Sequence, residues 1–372
     1  MVDGRLVALK EEPVRVATSE FEVLRRLEAA GLPAVSPIGV SSWPGHDVAI
    51  LATEYLAFSI QYRRLLMRFP LGPGPYRDRL LDAMASLLVD LHRAGVFWGD
   101  CSLANTLFRR DGDKIQAYLV DAETSEIHPG LSDGQRGWDL DILVENVGFG
   151  LADLGAMQGR EDAFEDAVEA AESVRKRYTA LWAELNDVPE LPPWDRQAIR
   201  GRIRRLNDLG FAVDEISLEP TASGEAVHLR VAVANRRFHS RELERLTGLV
   251  ALEGQARILL NDLREYRAWL EIQRGGTLDP VEAAERWVED VFQPVLAILA
   301  PIIGPGRDPV QAYCDVLEEK WLLSEAAGRD VGLEAALDAY LSLGAPAPED
   351  AAVETGVALD IDWTGGFDRP SE

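Results

Sequence analysis

The chain has 372 residues, 47% hydrophobic and 27% charged, an ordinary globular composition with length for roughly two to three domains. No run approaches the roughly 20 apolar residues that span a bilayer, and the opening MVDGRLVALKEEP has no apolar secretory segment, so a cytoplasmic protein is expected. A net charge of −25 argues against nucleic-acid binding by the chain as a whole, and two cysteines, Cys101 and Cys314, are too few for a disulfide framework or a cysteine-based zinc site.

In chain order, Leu6–Lys10 reads as the end of a strand. Ser19–Ala30 reads as a helix, with Ser19 as N-cap and Phe21, Leu24 and Leu27 along one face. Val35–Val40 and Val48–Tyr55 read as strands around the turn-rich SSWPGHD. Leu80, Leu81, Met84, Leu87, Leu88 and Leu91 recur at helical spacing, so a buried helix runs into His92 and ends at Gly95. Asn105–Phe108 and Ala117–Val120 flank the turn RRDGDK as a hairpin, and Asp133–Leu154 and Glu161–Leu185 read as two further helices. Three prolines in NDVPELPPWD, residues 186–195, mark a boundary. Beyond it come an arginine-rich helix, a second hairpin formed by AVDEISLEP and AVHLRVAVA, and a largely helical stretch from Ser240 to Leu343. Residues 345–372 hold seven acids and one arginine and read as a disordered acidic tail.

One segment carries chemistry, GVFWGDCSLANTLFRRDGDKIQAYLVDAETS from Gly95 to Ser125. Asp100 follows the buried helix through a short loop, Asn105 opens a strand five residues later, and the hairpin delivers Asp121 at the end of an apolar run. Phosphoryl transfer needs such a set: one carboxylate to orient the attacking hydroxyl, an amide oxygen and a second carboxylate to hold Mg²⁺ against nucleotide phosphates. A bare D-x-x-x-x-N is a weak signal. Its context of buried helix, Gly-Asp, hairpin and apolar-Asp is a stronger one. Upstream, Lys10 closes an apolar run, as the phosphate-contacting strand lysine of kinase-like folds does, and Glu20, or its neighbour Glu22, begins the following helix as its partner. Glu54-Tyr55-Leu56 falls where an interlobe hinge would offer backbone groups of Glu54 and Leu56 to adenine. His92, His128, His228 and His239 lack metal-ligand spacing, and no base is placed beside Cys101 by sequence.

At these residues the sequence resembles the protein-kinase-like superfamily, in its lipopolysaccharide-kinase-like branch. It is closer still to an actinobacterial group in which a kinase-like domain precedes domain of unknown function 4032. GRLVALKE, EFEVLRRLEAAGLP, LHRAGVFWGDCSLANTLFRR, AYLVDAET and LSDGQRGWDLDI resemble the first domain, and RIRRLNDLGF, LTGL, GQARILLNDLREYRAWLE and LSEAAGRDVG the second. The resemblance implies an α+β, two-lobed kinase-like fold using ATP and Mg²⁺. Its β-rich N-lobe would occupy residues 1–57 and its helical C-lobe 58–188. A mostly helical domain with a β-hairpin would follow at 194–344, then the tail at 345–372. It further implies Asp100 as catalytic base, Asn105 and Asp121 as metal ligands, Lys10 as phosphate contact with Glu20 as its partner, and Asp139, or else Asp141, as a brace for the catalytic loop. The acceptor would be a hydroxyl on a sugar, glycan or protein.

This chain departs from the kinase pattern at three places. Trp98 stands where many kinases have histidine, Ala122-Glu123 follows Asp121 in place of Phe-Gly, and nine residues precede Lys10, too few for a glycine-rich lid and its strands. The alternatives are a pseudokinase scaffold or nucleotide sensor whose second domain binds a partner, and an adenylyl-transferring relative. Residues 196–267 hold 13 arginines and 10 acids. They are the one place where a polyanion, nucleic acid included, would bind, through Arg196, Arg200 and Arg204 with Arg236, Arg237 and Arg241; internal salt bridges are the competing role for these arginines.

Overall fold

The computed structural model describes residues 6–68, 74–188, 190–192, 195–209, 211–220 and 227–346. A three-stranded antiparallel sheet opens the chain, in the order β1 (Val7–Pro13), β3 (Val48–Glu54), β2 (Pro37–Ser42), with Lys10 opposite Leu51. Helix α1 (Val14–Ala29) lies against it through Ala17, Glu20, Val23, Leu24 and Leu27, a stripe at helical period. The helix starts five residues before the expected Ser19 cap. Pro13 ends the strand with φ −54°, and the Val14 amide, an orphan of the first turn, donates to the Asp47 carbonyl at 3.0 Å. Glu20 therefore sits in the second turn with its side chain buried, not in a solvated first turn.

Strand β4 (Ser59–Gln61) and helix α2 (Tyr62–Arg68) come next. Helix α3 (Pro75–Arg93) buries Leu80, Leu81, Met84, Leu87, Leu88 and Leu91 and ends before Gly95, whose φ is +78°. A Cβ at Gly95 would stand 2.2 Å from the His128 carbonyl oxygen, so glycine is required there. Strand β5 (Val96–Phe97) pairs with β8 (Glu126–Ile127), and β6 (Thr106–Asp111) pairs with β4 and with β7 (Lys114–Leu119). Register runs from Thr106–Leu119 to Asp111–Lys114, so strand pairing consumes most of the expected turn RRDGDK and leaves Gly112-Asp113 at the tip. Helices α4 (Asp133–Met157) and α5 (Ala163–Asn186) close the core, α4 behind a Ser132–Gln135 capping box.

Strand β9 (Glu190–Leu191), α6 (Arg196–Asp208) and the hairpin of β10 (Phe211–Pro220) and β11 (Val227–Arg236) follow. Leu206 and Phe211 pack into the first core, so its packing runs past the proline-rich boundary. A second core begins at Leu243 and is built by α7 (Phe238–Thr247), α8 (Glu253–Arg274), α9 (Pro280–Trp287), α10 (Gln293–Ile303), α11 (Pro309–Ala327) and α12 (Leu333–Ser342). Trp287 stacks on Phe292 there at 5.1 Å, while the Asp262 carboxylate accepts from Trp287 Nε1 at 2.8 Å and the Tyr313 hydroxyl at 2.7 Å. Asp262 thus serves the packing of this core. No helix among the described residues is long and apolar enough to cross a membrane. The acidic tail, from residue 347, lies outside the described residues.

Candidate active site

Period-2 geometry on β1 turns Lys10 and Glu12 to one face, toward α1. Lys10 Nζ lies 3.1 Å from Glu20 Oε2, 2.9 Å from Asp121 Oδ2 and 3.5 Å from Glu123 Oε2, and also contacts Glu12. One ammonium thus stands among four carboxylates. Burial works against the Lys10 charge, but Glu12, Asp121 and Glu20 outweigh it and hold its pKa above the ordinary value. Glu20 moves the other way for a carboxylate. Burial and the neighbouring Glu12 push its pKa up to about 7, against the Ala122 amide and Lys10, which favour its ionised form.

Glu20 ties three pieces together: its second oxygen accepts from the Ala122 backbone amide at 2.9 Å, joining α1 to the loop after Asp121. Glu22, the other candidate, lies on the exposed side of α1. Asp121 Oδ1 accepts from the Glu123 amide at 3.2 Å, and the buried methyl of Ala122 fills the place after it.

Asp100 is exposed at the mouth of its loop, and Asn105 Nδ2 donates to its carboxylate at 2.9 Å and to its carbonyl at 3.2 Å. Both amide protons of Asn105 point back into the loop, which leaves its carbonyl oxygen as the outward donor atom. Gly99, with φ +83°, is needed for this bend; a Cβ there would meet the Thr124 carbonyl oxygen at 2.9 Å. The loop hangs from Asp139, which is fully buried on α4. Its Oδ2 accepts from the Trp98 amide at 2.6 Å and His92 Nε2 at 3.0 Å, and its Oδ1 from the Gly99 amide at 2.8 Å and Cys101 Sγ at 3.3 Å. Asp141 instead points outward to Arg175 at 2.8 Å. His92, whose other ring nitrogen meets the Tyr178 hydroxyl at 2.7 Å, is held toward the neutral form by burial. Trp98 is buried, and its carbonyl receives the Thr124 and Ser125 hydroxyls at 2.8 and 3.2 Å, linking the catalytic loop to the loop after Asp121. Glu54 ends β3 exposed, and the Leu56 carbonyl accepts from Ser59 Oγ at 2.8 Å in the expected hinge.

Asn105 and Asp121 flank the β6–β7 hairpin, and the helical second domain grips the tip of that hairpin. The Gly112 amide donates to Gln311 Oε1 at 2.8 Å, and Gln311 Nε2 donates back to the Gly112 carbonyl at 3.0 Å. The buried Asp111 carboxylate accepts the Gln255 amide at 2.8 Å in the first turn of α8. Arg109 pairs with Asp308 and Arg110 with Asp315, both at 2.8 Å, and Arg257 with Asp113 at 2.6 Å. Nothing local in the sequence announced this contact.

Among the described residues no cluster of three or more His, Cys, Asp or Glu is arranged to hold a metal. Mg²⁺ does not need one, since it is commonly held by one or two protein oxygens together with substrate phosphates and water. The Asn105 carbonyl and the Asp121 carboxylate fit that description.

Residues 7–147 match the lipopolysaccharide kinase (Kdo/WaaP) family, and residues 180–343 match a domain of unknown function, DUF4032. The first domain is lipopolysaccharide-kinase-like. Over 152 residues this kinase-like part is 26% identical to the lipopolysaccharide core heptose(I) kinase WaaP of Pseudomonas aeruginosa, covering 38% of this chain and 55% of that enzyme. The chain thus spans little more than half the length of this curated relative. Among solved structures, WaaP in complex with acyl carrier protein aligns with a TM-score of 0.33 and 22% identity, over 49% of this chain and 78% of that one. The Mycobacterium tuberculosis PknI kinase domain aligns at 0.28 and 16%, over 46% and 85%. At such scores these likenesses carry no argument, and the kinase-like fold rests on the sheet, loops and ion pairs described above.

Proposed function

We propose that the first domain transfers phosphate from Mg·ATP to a hydroxyl acceptor, a sugar, glycan or protein. The observation that carries this reading is the Lys10–Glu20 pair meeting Asp121, with Asp100 and Asn105 bonded to one another at 2.9 Å. In this reading Asp100 accepts the acceptor's hydroxyl proton and orients its oxygen toward the γ-phosphate. Lys10 exchanges Asp121 for the α- and β-phosphates while Glu20 keeps its ammonium in place. Asn105 and Asp121 would hold Mg²⁺, which supplies charge neutralisation along the phosphates. Backbone groups at Glu54–Leu56 receive the adenine. Asp139 fixes the loop without touching substrate. An ATP-supplied cytoplasmic setting follows from the same reading.

A nucleotide-sensing pseudokinase is the second reading, favoured by the four carboxylates around Lys10, which repel phosphates until a cation arrives. One pair of measurements separates the two. Mg·ATP should raise the melting temperature of the full chain under either reading, as any ligand selective for the native state does. Under the kinase reading, Asp100→Asn keeps that shift yet loses phosphate transfer, autophosphorylation included, by about 10²–10⁴-fold. A wild-type protein that binds Mg·ATP and transfers phosphate no faster than Asp100→Asn supports the sensor.

A further inference from the structure

A cavity of about 580 Å³ lies between the two domains and shares no residue with the active site. Its kinase-side wall includes Leu32 and Pro33, after α1, and Tyr118 on β7; its opposite wall is α7, with Arg237, Ser240 and Arg241, and Phe211 lines it as well. Of the expected cluster only Arg237 and Arg241 line this cavity, Arg204 being absent from it, and two other arginines of α6 are engaged elsewhere. The buried Arg202 donates to the Glu184 and Asp187 carbonyls, and Arg205 pairs with Glu184. Arg196 and Arg236 have side chains outside the described residues, and Arg200 lines no part of the cavity. Arg237 and Arg241 line the cavity, and their side chains make no hydrogen bond or ion pair among the described residues.

The acids around the cavity are mostly committed elsewhere. Asp111 accepts the Gln255 amide, and Glu253 accepts the His239 and Ser240 amides and His239 Nδ1 at 2.7–2.9 Å. The N-terminus of α7 is therefore already satisfied and is not the attraction. Asp90 is buried and has a partner of its own. Arg93, the third arginine at the cavity, lies over the Phe211 ring at 5.3 Å and has a partner of its own, so Glu244 alone is left to offset the guanidiniums of Arg237 and Arg241. The Tyr118 and Ser240 hydroxyls add two donors that make no hydrogen bond among the described residues. Arg237 is near enough to Tyr118 to pull its phenol pKa down against the burial that pushes it up to about 12.

We propose that this cavity binds a phosphorylated small molecule, its phosphate held between Arg237 and Arg241 and its body against Leu32, Pro33 and Leu252. Guanidinium forks match phosphate oxygens bidentately, and a dianion satisfies both arginines where one carboxylate does not. The volume falls in the range of small-molecule sites. Because the cavity is walled by both domains, such a ligand joins the loop after α1 to the second domain. The site stands independently of the kinase reading.

The test is calorimetric titration of the full chain without divalent cation, using glucose 6-phosphate, inorganic phosphate and glucose as probes. Glucose 6-phosphate is expected to bind, inorganic phosphate to bind more weakly, and glucose not to bind. Arg237→Ala/Arg241→Ala, two changes at exposed positions, should weaken glucose 6-phosphate at least about tenfold, the loss of one charge-assisted contact or more. Lys10→Ala should leave it unchanged. The proposal is overturned if neither phosphate probe binds at millimolar concentration, if the double variant binds as wild type does, or if Lys10→Ala abolishes binding. Inorganic phosphate binding as tightly as the ester would show a bare ion site and overturn the cavity as a small-molecule site.

Discussion

Replacing Asp139 by asparagine keeps the shape of the side chain and changes which atoms can accept. The wild-type carboxylate receives four donors, two on each oxygen, from Trp98, His92, Gly99 and Cys101. Asparagine turns one acceptor into an NH₂, which must face either the Trp98 or the Gly99 amide, donor against donor. The less damaging choice faces Gly99, because the Cys101 thiol can rotate away. Hydrogen bonds to a charged group contribute about 1.5–3 kcal/mol each, and an orphaned buried amide costs about 1–3. One orphaned amide plus weakened bonds to the other oxygen gives a loss of about 3–6 kcal/mol, a large part of an ordinary stability of about 5–15. Urea unfolding followed by tryptophan fluorescence reads this directly, with Asp141→Asn as control. Asp141 is exposed with a single partner, Arg175, so its replacement should cost under about 1 kcal/mol. If Asp139→Asn also falls within about 1 kcal/mol of wild type, the buried carboxylate does not carry the loop and the reasoning fails.

Three further outcomes are expected. Glu20 has a folded-state pKa near 7, above its unfolded value, so its contribution is full below about pH 4.5 and is lost as pH rises through about 7; Glu20→Gln should remove that step from a stability–pH curve, and a step that persists would assign it to another group. Gly254→Ala places a Cβ 2.2 Å from the Asp111 carbonyl oxygen; the hairpin tip must shift at a cost of about 1–3 kcal/mol, read as faster hydrogen exchange at the Gly112 and Gln255 amides, and unchanged protection would mean the tip is not held there. ATP without divalent cation should leave the melting temperature unmoved because four carboxylates surround Lys10; a shift in EDTA equal to that in Mg²⁺ would contradict this.

Local pattern carried much of this far. Apolar periodicity located the strands and α3, and the five-residue step from Asp100 to Asn105 located two side chains that are bonded in the structure. Period 2 on β1 also places Glu12, two residues from Lys10, on the same face. The choice between Asp139 and Asp141 was decidable too: Asp139 is four residues before Leu143, on the buried stripe of α4, and Asp141 is off it. Other features left no local trace. The start of α1 depended on the distant Asp47 carbonyl. The closeness of Glu123 to Lys10 depended on how two lobes meet, and the grip on the hairpin on residues far along the chain.

The Gly112–Gln311 contact spans 199 residues of sequence. At synthesis rates of about 5–20 residues per second, the hairpin therefore emerges about 10–40 s before the glutamine that closes on it. The kinase-like core has all its own strands and helices by Phe211. A nascent chain thus passes through a stage in which the loops bearing Asp100, Asn105 and Asp121 exist while the turn between β6 and β7 is still open to water. Its glycine-aspartate tip is then a cleavable loop, shielded in part when α8 brings Gln255 and Arg257 to Asp111 and Asp113 and fully when α11 brings Gln311 to Gly112. Limited proteolysis of ribosome-held chains of increasing length would follow that shielding as the loss of a cut at 112–113, dating the maturation of the hairpin by the emergence of α8 and α11 rather than by its own folding.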